Sequence, residues 1–295
     1  MKKNKTIILV LFFFMGLLIW LYPSISDFYN QKLQSEAIVD YESLLKDYTA
    51  EDYSKIFEEA NEYNKILQKL KDPYLMYKKI KNYNKILNVN NDGMMGYISI
   101  DKIKVELPIY HGTAESVLST GVGHLEGSSL PVGGNGTHSV LSAHRGLPTS
   151  KLFTDLDKLE MGDTFTITIL NQVFTYEVDY IEIVEPHDIE TLEINPDKDY
   201  LTLMTCTPYG INTHRLLVRG IRTEDQNKMP YITTEAFKVS NLTVMPIVAI
   251  PIILVFLIII MLQPIKNYNI SKLVEKYAYP SKEGTGGIQN EKKNK

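Results

Sequence analysis

The chain has 295 residues, 44% of them hydrophobic and 22% charged, with a formal net charge of -4 and a single cysteine. That balance offers no basic field for nucleic acid, so nucleic-acid binding is not expected. One cysteine cannot build an internal disulfide framework or a thiolate zinc site.

Residues Ile7 to Tyr22 (IILVLFFFMGLLIWLY) are uncharged and almost wholly apolar, and they follow Lys2, Lys3 and Lys5. As a helix this run spans about 24 Å, close to the roughly 30 Å of bilayer hydrocarbon. Residues 1–23 are therefore expected to be a membrane segment, retained as a signal-anchor in preference to a cleaved leader, since Ser24-Ile25-Ser26 is a weak cleavage site. Residues 24–93 are expected to be helical. Leu33, Ala37, Ile38, Tyr41, Leu44 and Leu45 recur at helical spacing, Thr49 and Asp52 suit a capping box, and Tyr53 to Leu70 continue the stripe. Within this region Pro73 predicts a non-helical insert at Asp72-Pro73-Tyr74.

NVNNDGMMG (Asn88 to Gly96) reads as a turn-rich boundary. Residues 94–222 then alternate in the manner of short strands, such as Phe165, Ile167 and Ile169 or Phe174, Tyr176 and Val178, and predict an antiparallel barrel or sandwich. KLFTDLDKLEMGD (Lys151 to Asp163) suits a short amphipathic helix between strands. A linker, 223–243, leads to a second uncharged run, 244–262, of about 29 Å as a helix, and to a tail, 263–295. Lysines at the outer ends of both runs place both termini in the cytoplasm and the intervening domain outside.

An exported domain with a lone cysteine raises the question of what Cys206 does: inert buried thiol, intermolecular link or nucleophile. It lies in LTLMTCTPYGINTHRLLVRG (Leu201 to Gly220), between two strand-like runs. A hairpin turn centred between Tyr209 and Gly210 sets Cys206 opposite Thr213 and puts Arg215, Leu217 and Arg219 on its side, with His214 on the other. His144, at the end of THSVLSAHRG, sits where a strand opens into a loop. A nucleophilic thiol needs a group favouring thiolate, an acid for the leaving group and a donor for the oxyanion. His144 and Arg215 supply those chemistries, although any of the six histidines could be structural and Arg215 could be a surface strand residue. VGGNGTH (Val132 to His138) lacks the glycine spacing and lysine of a phosphate loop. No metal or cofactor is implied.

With these residues in place the sequence resembles the sortases, cysteine transpeptidases of Gram-positive surfaces, and within them the class C, pilus-specific branch. The resemblance rests on LTLMTCTPYGINTHRLLVRG, on GVGHLEGSSLPVGGNGTHSVLSAHRGLPTSKLFTDLDKLEMGD and on YISIDKIKVELPIYHGT, where Asp101 stands at a position usually held by proline. It implies an eight-stranded sortase-type β-barrel with short helices, preceded by a helical region and flanked by two membrane helices. It implies Cys206 as nucleophile, His144 as general acid/base, Arg215 as oxyanion stabiliser and Thr205 at the peptide groove. Asp72, Pro73 and Tyr74 resemble the class C lid, in which the Asp carboxylate would pair with Arg215 and an aromatic ring would cover thiol and imidazole. Tyr74 stands where the family often has Trp or Phe. The implied partners are a Leu-Pro-x-Thr-Gly-like sorting signal and a pilin lysine, or in a housekeeping enzyme a peptidoglycan-precursor amine.

Overall fold

A computed structural model describes residues 2–223, together with Leu254, Val255 and Ile258. The expected linker, most of the second apolar run and the C-terminal tail lie outside the described residues. The first helix, α1 (Lys2–Leu45), is continuous, about 66 Å long. It crosses the expected boundary at residue 23 without a break, because Pro23 is accommodated inside the helix. The boundary is therefore one of surface: Leu11, Phe12, Leu18, Ile19 and Trp20 are exposed, whereas Ile38, Tyr41 and Leu45 are buried. Among the described residues this is the one helix long and apolar enough to cross a membrane, by length and composition.

The C-terminal half of α1 is bolted to the domain by polar contacts. Tyr41 donates its hydroxyl hydrogen to the Met95 carbonyl at 2.8 Å and accepts from the Leu170 amide at 2.9 Å. Gln34 donates to the Thr120 carbonyl at 2.8 Å, and the Lys151 amide donates to Asp27 at 2.7 Å. Helix α2 (Ala50–Leu67) opens on the predicted box, Thr49 accepting from the Asp52 amide while Asp52 caps the Thr49 amide. Its buried face carries Phe57, Ala60, Tyr63, Asn64 and Leu67. Asn64 grips Leu130 at both ends of its amide, donating to the carbonyl at 3.1 Å and accepting from the N–H at 2.7 Å.

The expected non-helical insert is instead one helical turn, α3 (Pro73–Met76), with Asp72 as its N-cap. Proline breaks a helix from inside, but at the first position its missing N–H costs nothing and its fixed φ suits the turn.

Eight strands follow: β1 (Met94–Ile100), β2 (Val105–His111), β3 (Val122–His124), β4 (Thr137–Ser142), β5 (Thr164–Ile169), β6 (Gln172–Val184), β7 (Asp199–Thr207) and β8 (His214–Arg222). They close into a barrel in the order β1-β2-β3-β4-β7-β8-β6-β5. The barrel is mixed, not wholly antiparallel, since β2–β3 and β4–β7 pair in parallel. The amphipathic stretch after β4 forms turns and a single 3₁₀ turn at Leu156–Lys158, bounded by Leu152 at a positive φ of 40° and by Leu159 in extended backbone. Another short helix, α4 (Glu115–Leu118), precedes β3.

Alternation along the strands sorts side chains to two sides of the barrel wall. Leu201, Leu203 and Thr205 of β7 are buried toward the core that also holds Phe165, Phe174 and Tyr176. A second apolar cluster lies apart from it: Val140, Val184, Leu192 and Leu217, with Tyr74, Leu125 and Met204 packed on it. Met204 and Cys206 alternate with the core-facing residues of β7 and share that second side.

Candidate active site

The site is assembled by strand register. Parallel pairing carries β4 alongside β7 as far as Ser142 opposite Met204. Beyond it the Ala143 amide donates to the Met204 carbonyl at 3.2 Å, and Thr205 donates its hydroxyl hydrogen back to the Ala143 carbonyl at 2.8 Å. The next residues along the two chains are His144 and Cys206. On the far side of β7, antiparallel pairing sets Cys206 directly opposite Arg215 and Thr207 opposite His214, with Pro208 to Thr213 as the loop. The observed register differs by two residues from the turn-centred expectation. A shift of two preserves the face, which is why Arg215 still falls on the Cys206 side. Three neighbouring strands, β4, β7 and β8, thus deliver the expected trio to one end of the barrel.

Cys206 is a free, partly exposed thiol. The imidazole of His144 places Nε2 3.2 Å from both carboxylate oxygens of Glu115 on α4. A hydrogen on Nε2 faces that carboxylate, so in the neutral ring Nδ1 is the basic nitrogen. Arg215 donates through Nη1 to the carbonyls of His214 (3.1 Å) and Asn212 (3.4 Å). Among the described residues its guanidinium makes no other hydrogen bond, which leaves the rest of its five-donor fork for an incoming anion.

Thr205, expected along a peptide groove, is only 1% exposed and faces the barrel interior. Its hydroxyl braces Ala143 against β7 in place of lining an open surface.

The turn α3 lies over the second apolar cluster, in which Tyr74 packs with Val140, Val184, Leu192, Leu217 and Met204. Its hydroxyl donates to the Leu192 carbonyl at 3.2 Å, and burial pushes its pKa up. Asp72 does not pair with Arg215 among the described residues. Its carboxylate accepts from the Leu75 amide at 3.1 Å and so caps the turn that presents Tyr74. Gly127 lets the turn approach: it has a φ of 93°, and a Cβ there would lie 2.8 Å from the Tyr74 Cα. Nothing in GVGHLEGSSLP marked that glycine as a neighbour of Tyr74, because the contact joins positions more than fifty residues apart.

Two buried histidines of the barrel, His124 and His138, are structural. His124 lies between the Tyr83 hydroxyl at Nδ1 (2.8 Å) and the Ser129 carbonyl at Nε2 (2.8 Å), and His138 between the Glu193 carbonyl and the Thr202 hydroxyl. Burial pushes both down to about 4. Arg219 pairs with Asp179 at 2.9 Å and lies between the rings of Tyr180 and Tyr200, away from the trio. Among the described residues no group of histidine, cysteine and carboxylate side chains is arranged to hold a metal.

The sortase domain family profile matches residues 98–223, the barrel from within β1 through β8. Curated relatives include sortase D of Bacillus subtilis, 37% identical over 43% of this chain and 63% of its own length. Another is sortase A of Streptococcus agalactiae, 32% identical over 44% of this chain and 53% of its own. The alignments thus span less than two thirds of these curated relatives. Solved structures match more fully. Sortase C1 of Streptococcus agalactiae is 52% identical, with a TM-score of 0.58, over 64% of this chain and 98% of that one. Sortase C of Clostridium perfringens, solved with the C-terminal cell wall sorting motif, is 46% identical, with a TM-score of 0.56, over 64% of this chain and 99% of that one. With the closed eight-stranded barrel, the cysteine–arginine register and these similarities together, the chain belongs to the sortase family.

Proposed function

We propose that this chain is a membrane-anchored cysteine transpeptidase that cleaves a Leu-Pro-x-Thr-Gly-like sorting signal between Thr and Gly and joins the new acyl group to a pilin lysine. The observation that carries the reading is the convergence of Cys206, Arg215 and His144 at one end of strands β4, β7 and β8. The thiolate attacks the Thr carbonyl carbon, and the oxyanion that forms is held by the Arg215 guanidinium. The bond to the Gly nitrogen breaks as the His144 imidazolium gives that nitrogen a proton, leaving a thioester on Cys206. An incoming amine then attacks the thioester, its proton passes to His144, and the Cys206 thiolate is released.

The apolar cluster covered by Tyr74 suits the apolar side chains of such a peptide, and the turn must lift before the peptide enters. That roof, with the likeness to solved sortase C structures, favours a pilin amine over the peptidoglycan-precursor amine of a housekeeping enzyme. In this reading α1 and the 244–262 run anchor the domain at the outer face of the membrane, both termini being cytoplasmic.

The test uses the full chain in detergent, intact and as an Asp72→Ala/Tyr74→Ala variant, incubated with a Leu-Pro-x-Thr-Gly peptide and weighed by mass spectrometry. An acyl adduct on Cys206 that forms faster in the variant is expected. Equal rates would remove the gating role of the turn, and no adduct on either folded form would overturn the acyl-transfer reading.

A further inference from the structure

The residues on either side of His144 and Cys206 are joined in two successive rungs. The first pairs the preceding residues, Ala143 with Thr205, through the 2.8 Å hydrogen bond already described. The second pairs the following residues: Arg145 donates from Nη1 to the Thr207 hydroxyl oxygen at 3.3 Å. Arg145 is itself held by Asp157, which accepts from Nη2. Its side chain is only 9% exposed, and among the described residues its buried Nε has no hydrogen-bond partner. A guanidinium is costly to desolvate, and a partner that leaves one N–H unsatisfied does not recover that cost by stability alone. Two further contacts hold the same segment. The Phe153 amide donates to the His144 carbonyl at 3.1 Å, and the Gly146 amide donates to the Thr154 hydroxyl at 3.1 Å.

Resting on the acyl-transfer reading, we propose that Arg145 is a positioning residue whose bridge from Asp157 to Thr207 sets the separation of the His144 imidazole and the Cys206 thiol. The two rungs flank the reacting pair and leave it between them. β4 ends at Ser142, so no backbone ladder extends to His144, and side-chain rungs take over where strand pairing stops. Lys is a poor substitute because it cannot present two N–H groups in a fixed fork to Asp157 and Thr207 at once.

The test is run on the full chain carrying Asp72→Ala/Tyr74→Ala, so that opening of the turn does not limit the rate. Acylation by a Leu-Pro-x-Thr-Gly peptide is followed as kcat and KM. Arg145→Ala is expected to lower kcat about 30- to 100-fold with KM changed less than about 2-fold, the loss typical of reacting groups displaced by about 1 Å. Thr207→Val is expected to lower kcat about 10-fold, while Thr207→Ser, which keeps the hydroxyl, retains the parental rate. Arg145→Ala/Thr207→Val should be no slower than Arg145→Ala, because both remove one bridge. Added guanidinium ion should restore part of the Arg145→Ala rate. Should Arg145→Ala fail to fold, the Val and Ser variants of Thr207 decide the matter alone. Unchanged kcat in Thr207→Val, equal losses in Val and Ser, or a rise in KM at constant kcat would overturn the clamp while leaving acyl transfer intact. No adduct in the parent, with Cys206 still alkylated by iodoacetamide, overturns the acyl-transfer reading and the clamp with it.

Discussion

Cys206, His144 and Arg215 are asked to do separable things, and substitutions should separate them. Cys206→Ala removes the atom that carries the acyl group and is expected to abolish the adduct outright. Any surviving peptide transfer would refute the nucleophile. Arg215→Lys keeps a positive charge but loses the planar fork, so single-turnover acylation should fall about 100- to 1,000-fold, the range seen when one oxyanion donor is removed. A fall under about 3-fold would mean that charge, not donor geometry, is what β8 supplies. Glu115 was not singled out in the sequence. Its value comes from α4 carrying its carboxylate to within 3.2 Å of the His144 ring.

At the scale of elements, the one-turn helix α3 is the part whose position decides access. It is tethered to the barrel by Tyr74, while Leu75 beside it points into solvent and is 80% exposed. An element with one partly buried anchor is drawn from the low-stability end of a fold and can open without unfolding its neighbours. Gly127→Ala puts a methyl group 2.8 Å from the Tyr74 Cα, at a backbone conformation that already disfavours a side chain. The substitution is expected to cost about 1–3 kcal/mol in backbone strain and to unseat α3. Alkylation of Cys206 by iodoacetamide should then proceed faster than in the parent, approaching the rate of Tyr74→Ala. An alkylation rate equal to the parent's, in a folded Gly127→Ala chain, would show that the turn does not shield the thiol.

For the molecule as a whole, the buried histidines tie stability to pH. His124 and His138 are held down to about 4 by burial, whereas an unfolded histidine titrates near 6.5. Between those values the unfolded chain binds more protons than the folded one. Stability is therefore full above about pH 6.5 and is lost as pH falls toward 4, by at most about 1.4 kcal/mol per unit for each histidine. Burial lowers His111 as well, in the same sense. Burial raises the Asp199 and Glu106 carboxyls, which opposes the trend nearer the carboxylate range, so the clean comparison lies between pH 7 and 5.5. Urea midpoints should drop over that interval, and His138→Gln should flatten the drop. A midpoint constant from pH 7 to 5.5 would contradict the neutral, buried histidines.

What the sequence determined by itself was local or alternating in nature. The apolar run of α1, the Thr49 capping box, the alternation of β5 and β6, and the shared face of Cys206 and Arg215 each depend on spacing within a few residues or on a hairpin whose parity survives a shift of two. The family resemblance likewise rests on contiguous stretches around His144 and Cys206. The tertiary structure decided everything that depends on long-range register: the two parallel pairs, the extension of α1 through Pro23, the inward turn of Thr205 and the capping role of Asp72. It also decided the contacts of Glu115, Gly127 and Arg145 with the residues they serve. These partners lie on elements brought together by barrel closure, and no periodicity of a single element encodes which of them will meet.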